Sequence, residues 1–173
     1  HKAAWGHLTG ALMLRQLAYE TTGANAIDDS SYEVAGSFSG RYNFNPNNDL
    51  RFAINAGSGI GRYVGLGIAS DAMLDGNGDI EGLDGVAGYI GFHHNFSTQV
   101  RGNIYYSASQ YDNDAALTGG AVTESVSSIS ANLFYSPLPK LDVGAELRFA
   151  DRELESGADG SLTRLHFLAR YSF

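Results

Sequence analysis

Apolar and polar side chains alternate with a period of two along most of the chain. In residues 32–44 (YEVAGSFSGRYNF), Tyr32, Val34, Phe38, Tyr42 and Phe44 share one face, and Glu33, Ser37, Ser39, Arg41 and Asn43 share the other. Successive side chains of a strand point to opposite faces, whereas a helix repeats every 3.6 residues, so the pattern predicts strands. It recurs with Leu50, Phe52 and Ile54 opposing Arg51, Ala53 and Asn55, and with Val100, Ile104 and Tyr106 opposing Arg101, Asn103, Tyr105, Ser107 and Ser109. Further on, Ile129, Ala131, Leu133 and Tyr135 oppose Ser128, Ser130 and Asn132. Leu141, Val143, Ala145, Leu147 and Phe149 then oppose Asp142, Glu146 and Arg148. Leu165, Phe167, Ala169, Tyr171 and Phe173 close the series against Arg164, His166, Arg170 and Ser172. Two weaker segments, 5–19 (apolar on both faces around Leu12, Met13 and Leu14) and 86–96, bring the expectation to eight strands and no helix. The fold class predicted is all-β, an antiparallel up-and-down sheet with residues 1–173 forming one domain or one piece of a larger one.

Compact turns rich in breakers follow strands two, four and six: residues 45–48 (NPNN), 95–98 (NFST) and 136–140 (SPLPK). Longer stretches follow the odd-numbered strands, at 20–31, 61–84, 112–123 and 151–161. Short turns therefore collect at one end of the sheet and long loops at the other. Register follows from parity. Arg41 and Arg51 both lie on the polar face, so cross-strand partners there must have an even index sum, and the same holds for Asn95 with Arg101 and for Asn132 with Asp142.

Alternation does not say which face is buried. A soluble barrel turns its apolar residues inward, and an outer-membrane barrel turns them toward lipid around a polar interior. Loop asymmetry favours the membrane arrangement. So do aromatics at both ends of the apolar stripe: Phe44, Tyr135, Tyr171 and Phe173 on the short-turn side, Tyr32 and Phe149 on the other. Arginine recurs on the polar face at Arg41, Arg51, Arg101, Arg148, Arg164 and Arg170, and an apolar core could not bury these cations unpaired. The chain also ends on an aromatic within a strand.

Composition narrows the classes further. There is no cysteine, which excludes a disulfide scaffold or thiol chemistry within this sequence. A net charge of -8 argues against a nucleic-acid partner. No run approaches the roughly 20 apolar residues of a spanning helix, and His1 and Lys2 lead directly into a strand-like segment rather than a leader peptide. Most acids fall in the long loops or at strand mouths, with Glu33, Asp142 and Glu146 the main ones expected on the polar strand face. The acidic total thus conceals a basic interior, which would concentrate anions and repel small cations.

Each arginine also has a structural reading. A last hairpin turning near Gly157 sets Arg170 diagonal to Asp142 and Glu146 as a lumenal ion pair, Arg152 near Arg164, and Arg148 near His166. Arg41 and Arg51 come out adjacent with no acid in either central strand segment, and so need water, an acid from elsewhere or an anionic solute. The unpaired arginines are therefore expected to line a permeation path.

Three segments resemble the DcaP-like family of trimeric outer-membrane porins: residues 57–65 (GSGIGRYVG), 143–173 (VGAELRFADRELESGADGSLTRLHFLARYSF) and 5–17 (WGHLTGALMLRQL). The resemblance implies that this chain is the C-terminal half of a 16-stranded transmembrane barrel, assembled as a homotrimer in the bacterial outer membrane and passing small organic anions, often dicarboxylates. By position it sets Arg62 near the constriction and Arg152 with Glu153 at the mouth of the penultimate strand. It makes Phe173, with Tyr171, the terminal signal read by the barrel-assembly machinery. Lipid and lipopolysaccharide are the implied surroundings, and the first strand, apolar on both sides, could also meet a neighbouring subunit.

The resemblance leaves a second architecture, a complete eight-stranded barrel of structural or adhesive role. Such a barrel is just wide enough to be filled by side chains, and this Ser-, Asn-, Gly- and Ala-rich face is poorly suited to that. An enzyme, such as an outer-membrane lipid-modifying one, is a further class. His7, His93, His94 and His166 show no ligand or triad spacing, so neither a catalytic residue, a metal ligand nor a cofactor is assigned. Asp75, Asn77 and Asp79 faintly resemble a calcium loop, but position 12 is Val86 rather than Glu. The GSGIG run is not read as a dinucleotide site, since no helix or parallel strand is expected after it.

Overall fold

The computed structural model describes residues 1–24, 26–65 and 67–173. Its elements are β1 (Lys2–Ala3), β2 (Gly6–Glu20), β3 (Asp28–Asn45), β4 (Asn48–Ser58), α1 (Gly61–Gly65), β5 (Ala72–Leu74), β6 (Ile80–Gly82) and β7 (Asp84–Asn95). There follow β8 (Val100–Asp112), α2 (Ala115–Thr118), β9 (Thr123–Leu138), β10 (Leu141–Leu154) and β11 (Asp159–Tyr171). One antiparallel sheet runs β1-β2-β3-β4-β7-β8-β9-β10-β11, each long strand beside its sequence neighbour. The eight predicted strands are therefore all present in up-and-down order, with the stub β1 added at one edge. The sheet is open: β2 and β11 are not paired with each other.

Register agrees with the parity rule. Arg41 faces Arg51, Asn95 faces Arg101, and Asn132 faces Glu146. Odd-numbered residues of β2, β3, β4, β7 and β8 lie on the same face as even-numbered residues of β9, β10 and β11, so one polar face is continuous across the sheet.

Several expectations are corrected. Among the described residues there are two helices, α1 and α2, both too short for periodicity to reveal. Asp114 caps α2, its carboxylate accepting from the Ala116 N–H at 2.9 Å, and Gly119 ends it. A helix also follows the GSGIG run, namely α1, but the sheet around it is antiparallel. The last connection is a tight turn at 155–158 rather than a loop from 151 to 161. Gly157 adopts φ 74°, and its N–H donates to the Leu154 carbonyl at 2.8 Å. That turn shifts the hairpin by about two residues from the sequence expectation: Arg170 faces Asp142 directly, Arg148 faces Arg164, Glu146 faces His166, and Arg152 faces Gly160.

The two faces differ sharply in cover. The 59–83 connection, with α1 and the β5–β6 hairpin, packs on the polar face. There Ile60 and Leu83 are buried with Leu17, Ala35, Ala87 and Tyr111, all four of the polar-face register. Among the described residues nothing covers the opposite face. Leu12, Leu14 and Phe167 are 72%, 73% and 78% exposed, and Val34, Ile90, Ile104, Leu133 and Leu165 extend the same surface. Aromatics cluster at its short-turn end in the chain Trp5–Tyr42–Phe44–Phe92, with successive ring centroids 5.9, 5.1 and 6.4 Å apart. A single sheet with a bare apolar face and a partly covered polar face has the two-sided pattern expected of an outer-membrane barrel wall.

Candidate functional site: the arginine-bearing face

The strand period puts arginines on the polar face, and the register decides which acids meet them. At the short-turn end, β3 and β4 are joined so closely that Arg41 and Arg51 stand opposite each other. Like charges there require a counter-charge, and Asp49 supplies it. Its side chain is 3% exposed, and it accepts from Arg41 Nη2 at 2.8 Å and from Arg51 Nε and Nη2 at 2.6 and 3.2 Å. The alternation pattern does not single out Asp49 as a partner, although it lies two residues before Arg51, a spacing that puts both on one face of a strand.

Asp142 repeats the device on β10. It accepts from Arg170 Nη2 at 2.5 Å and pairs with Arg101 Nη2 at 3.1 Å, while Ser136 donates to it at 2.6 Å. Arg101 also lies over the Phe134 ring, 5.1 Å from its centroid.

A third unit lies at the long-loop end. Arg62, in α1, pairs through Nε with Asp71 Oδ2 at 2.9 Å, and Arg15 Nη1 reaches the same oxygen at 3.1 Å. Arg15 Nη1 also donates to the Gly59 carbonyl at 2.7 Å, so the pair fastens the 59–83 connection to β2. Burial raises the Asp71 pKa, but the Arg62 backbone N–H and the two guanidiniums outweigh it, and the net shift is downward. Arg15 was not singled out from sequence because it follows an apolar run. Beside this unit Glu33 accepts from Ser31 at 2.6 Å and faces Gly82 of β6, where a Cβ would collide with its carboxylate. Glycine at 82 thus lets the hairpin lie flat on the wall.

The remaining predicted residues divide. Arg148 is engaged on its β9 side: Nε donates to Ser130 at 2.9 Å, and Nη2 donates to the Tyr105 hydroxyl at 2.6 Å and to Glu146 at 3.2 Å. Tyr105 in turn donates to Glu146 at 2.9 Å. Among the described residues Arg152 donates only to the Thr123 hydroxyl, from Nε at 2.9 Å and Nη2 at 2.6 Å. Arg164 has no hydrogen-bond or ion-pair partner among the described residues, and its Nε is sealed from solvent. Electrostatically, three Arg–Asp–Arg units carry a formal +1 each, and Glu146 lies within reach of the fields of both Arg148 and Arg164.

The other candidates are placed as follows. His93 and His94 point to opposite faces, His93 between Asn103 and Asn95 at 2.7 and 3.1 Å and His94 beside Asn48 at 2.7 Å. Asp75 closes the β5–β6 turn, accepting from the backbone N–H groups of Asn77 and Asp79 at 2.7 and 2.8 Å; those amides hold its pKa below the ordinary value. Tyr171 and Phe173 sit on the apolar side at the short-turn end, their rings 5.5 Å apart.

No protein-family model matches the chain, and no curated protein does. Among solved structures, it is similar to the crystal structure of the outer membrane channel DcaP of Acinetobacter baumannii, with a TM-score of 0.80 at 19% identity. The alignment covers 98% of this chain and 47% of that one, so this chain spans about half the length of the channel it matches. At this identity the likeness shows the fold: that of an outer-membrane channel wall.

Proposed function

We propose that this chain forms about half of the wall of a water-filled diffusion channel in a bacterial outer membrane, with preference for small organic anions. One observation carries the reading: a single up-and-down sheet with a bare apolar face on one side and an arginine-bearing polar face on the other, in the fold of an outer-membrane channel. In hydrocarbon every backbone N–H and C=O must be paired, so the open edges of β2 and β11 call for further strands to close the ring. A larger ring leaves room for water and for the 59–83 connection inside it. Arg62, carried on that connection, narrows the lumen, and the arginines of the wall supply the field that favours anions. Solutes with one or two carboxylates suit paired guanidinium donors. Assembly as a homotrimer among lipid and lipopolysaccharide, with Tyr171 and Phe173 read by the assembly machinery, completes the proposal; the aromatic end of β11 supports that last step.

The test is a reversal-potential measurement on the complete channel in a planar bilayer under a potassium chloride gradient. Anion preference is the expected result. Preference for cations, or no conductance from protein that is fully folded, overturns the reading.

A further inference from the structure

Gly91 interrupts the polar face of β7. Its cross-strand partners there are Arg51 on β4 and Tyr105 on β8, and the register runs through it without a bulge. A glycine inside a regular strand packs nothing itself and marks a place where something else approaches the backbone. An aromatic ring from the next strand often supplies that cover. Here it does not. A Cβ built on Gly91 would lie 3.0 Å from the Tyr105 Cβ and 3.9 Å from its Cα, with no ring atom nearer. The Tyr105 hydroxyl donates to Glu146 at 2.9 Å and accepts from Arg148 at 2.6 Å, which draws the ring toward β10 and fixes it. The Arg148 guanidinium carbon lies over that ring, 5.8 Å from its centroid. Arg51 is drawn away as well, since its Nε and Nη2 go to Asp49. Two residues along β7, Tyr89 is 46% exposed between Ala53 and Ser107, both too small to cover it. The result is a cavity of about 470 Å³ over Gly91, with Tyr89 and Tyr105 as diagonal cross-strand neighbours on two sides. Every strand that lines it has both of its neighbours in place, so its walls do not depend on the strands that close the ring.

Resting on the channel reading above but not on its anion preference, we infer that this notch is a binding site for an uncharged sugar ring passing along the wall. Diagonal cross-strand positions are about 7–8 Å apart, so one ring fits between the two tyrosines. The faces of the tyrosine rings are electronegative and attract the C–H bonds that line the faces of a pyranose. The polar groups of the lining suit hydroxyls. Asn103 is held by His93 at 2.7 Å and by Asn132 at 2.6 Å, yet its amide keeps one N–H and one carbonyl lone pair. Ser107, paired with Ser128 at 2.9 Å, keeps a lone pair. A sugar hydroxyl donates and accepts at once and satisfies both kinds, whereas a bare aromatic ring would strip water from them and return nothing. Charge does not call for an ion: Arg51, the cation at the rim, is already turned to Asp49, and the Tyr105 hydroxyl is engaged by Glu146 and Arg148. Because these side chains hold one another in place, binding needs little further ordering.

The test is blockade of the potassium chloride current through the complete channel in planar bilayers. The probes are glucose, sorbitol, which has the hydroxyls but no ring, and benzamide, a neutral aromatic ring. Glucose is expected to reduce the current saturably, and the other two are not. Tyr89→Ala raises the half-blocking concentration of glucose about fivefold, the loss of one stacked aromatic face, and Tyr89→Phe keeps the parent value. Gly91→Leu fills the notch and abolishes the blockade while chloride still passes. Ser37→Ala, on the same face of β3, leaves the blockade unchanged. No blockade by glucose, equal blockade by sorbitol, or folded Tyr89→Ala channels with the parent's half-blocking concentration overturn the inference, whichever ion the channel prefers. Blockade by benzamide alone overturns it too, by assigning the notch to aromatic solutes. A fully folded parent that passes no current overturns the channel reading instead.

Discussion

Removing both guanidiniums that flank Asp49 strands a carboxylate whose side chain is 3% exposed. In the Arg41→Ala, Arg51→Ala double variant, Asp49 loses three hydrogen bonds of 2.6 to 3.2 Å and both counter-charges. Breaking a fully buried pair costs about 3–5 kcal/mol. Here the two arginine side chains are 44% and 45% exposed, so solvent screens part of the interaction and about 2–3 kcal/mol is expected. The decisive variant adds Asp49→Asn to the double replacement. It removes the stranded charge, and should recover about 1–2 kcal/mol even though it is one substitution further from the parent. The assay is a urea titration of the folded channel in lipid vesicles, followed by tryptophan fluorescence and by the mobility difference between unheated and boiled protein on gels. A triple variant no more stable than the double refutes the reasoning, because the cost would then lie in lost side-chain packing rather than in an unpaired buried charge. The same experiment separates structure from selectivity, since it accounts for any failure of the double variant to assemble.

Further tests bear on the loop and the lipid face. Asp71→Asn should release Arg62 and Arg15 together and increase current noise in bilayer recordings, whereas a quiet channel of parent conductance would show that the 59–83 connection is held by its apolar contacts alone. Because the Asp71 pKa is lowered from 3.8, the latch it makes is present above that value and is lost as pH falls through its own lower pKa. Current noise should therefore stay constant from pH 7 to about pH 4 and rise only below; a transition near pH 6 would point to a different group. Gly82→Val should lift β6 off Glu33 and raise proteolytic cleavage within 59–83, measured on intact vesicles. Leu165→Arg, on the bare face, should cost about 2–4 kcal/mol near mid-membrane and reduce insertion into vesicles, while the same change at inward Leu162 should be tolerated.

The strands, their order and their polar face were legible because a period of two survives wherever one side of a sheet meets a different solvent from the other. Parity carried the register of β3–β4 and β7–β8 for the same reason: a slip of one residue would turn Arg41 or Asn95 to the apolar side. It could not distinguish registers that differ by two residues. The β10–β11 pairs differ by two residues from the sequence expectation because the turn at 155–158, with Gly157 at positive φ, sets them. Asp49 illustrates a different gap. It sits at a strand start beside a breaker-rich turn, where an acid reads as solvated; only the closeness of Arg41 to Arg51 makes it a buried bridge.

What the sequence by itself determined is therefore the wall: eight alternating segments, short turns at one end, arginines on one face and oils on the other, all set by local alternation. Only the tertiary structure decided how the charges combine. The 59–83 connection folds back to place Asp71 between Arg15 and Arg62, neighbouring strands bring Asp142 to Arg101 and Arg170, and the last hairpin sets Arg148 opposite Arg164. Ion pairing depends on separations of a few ångströms between residues far apart in the chain, and side-chain periodicity holds no record of them.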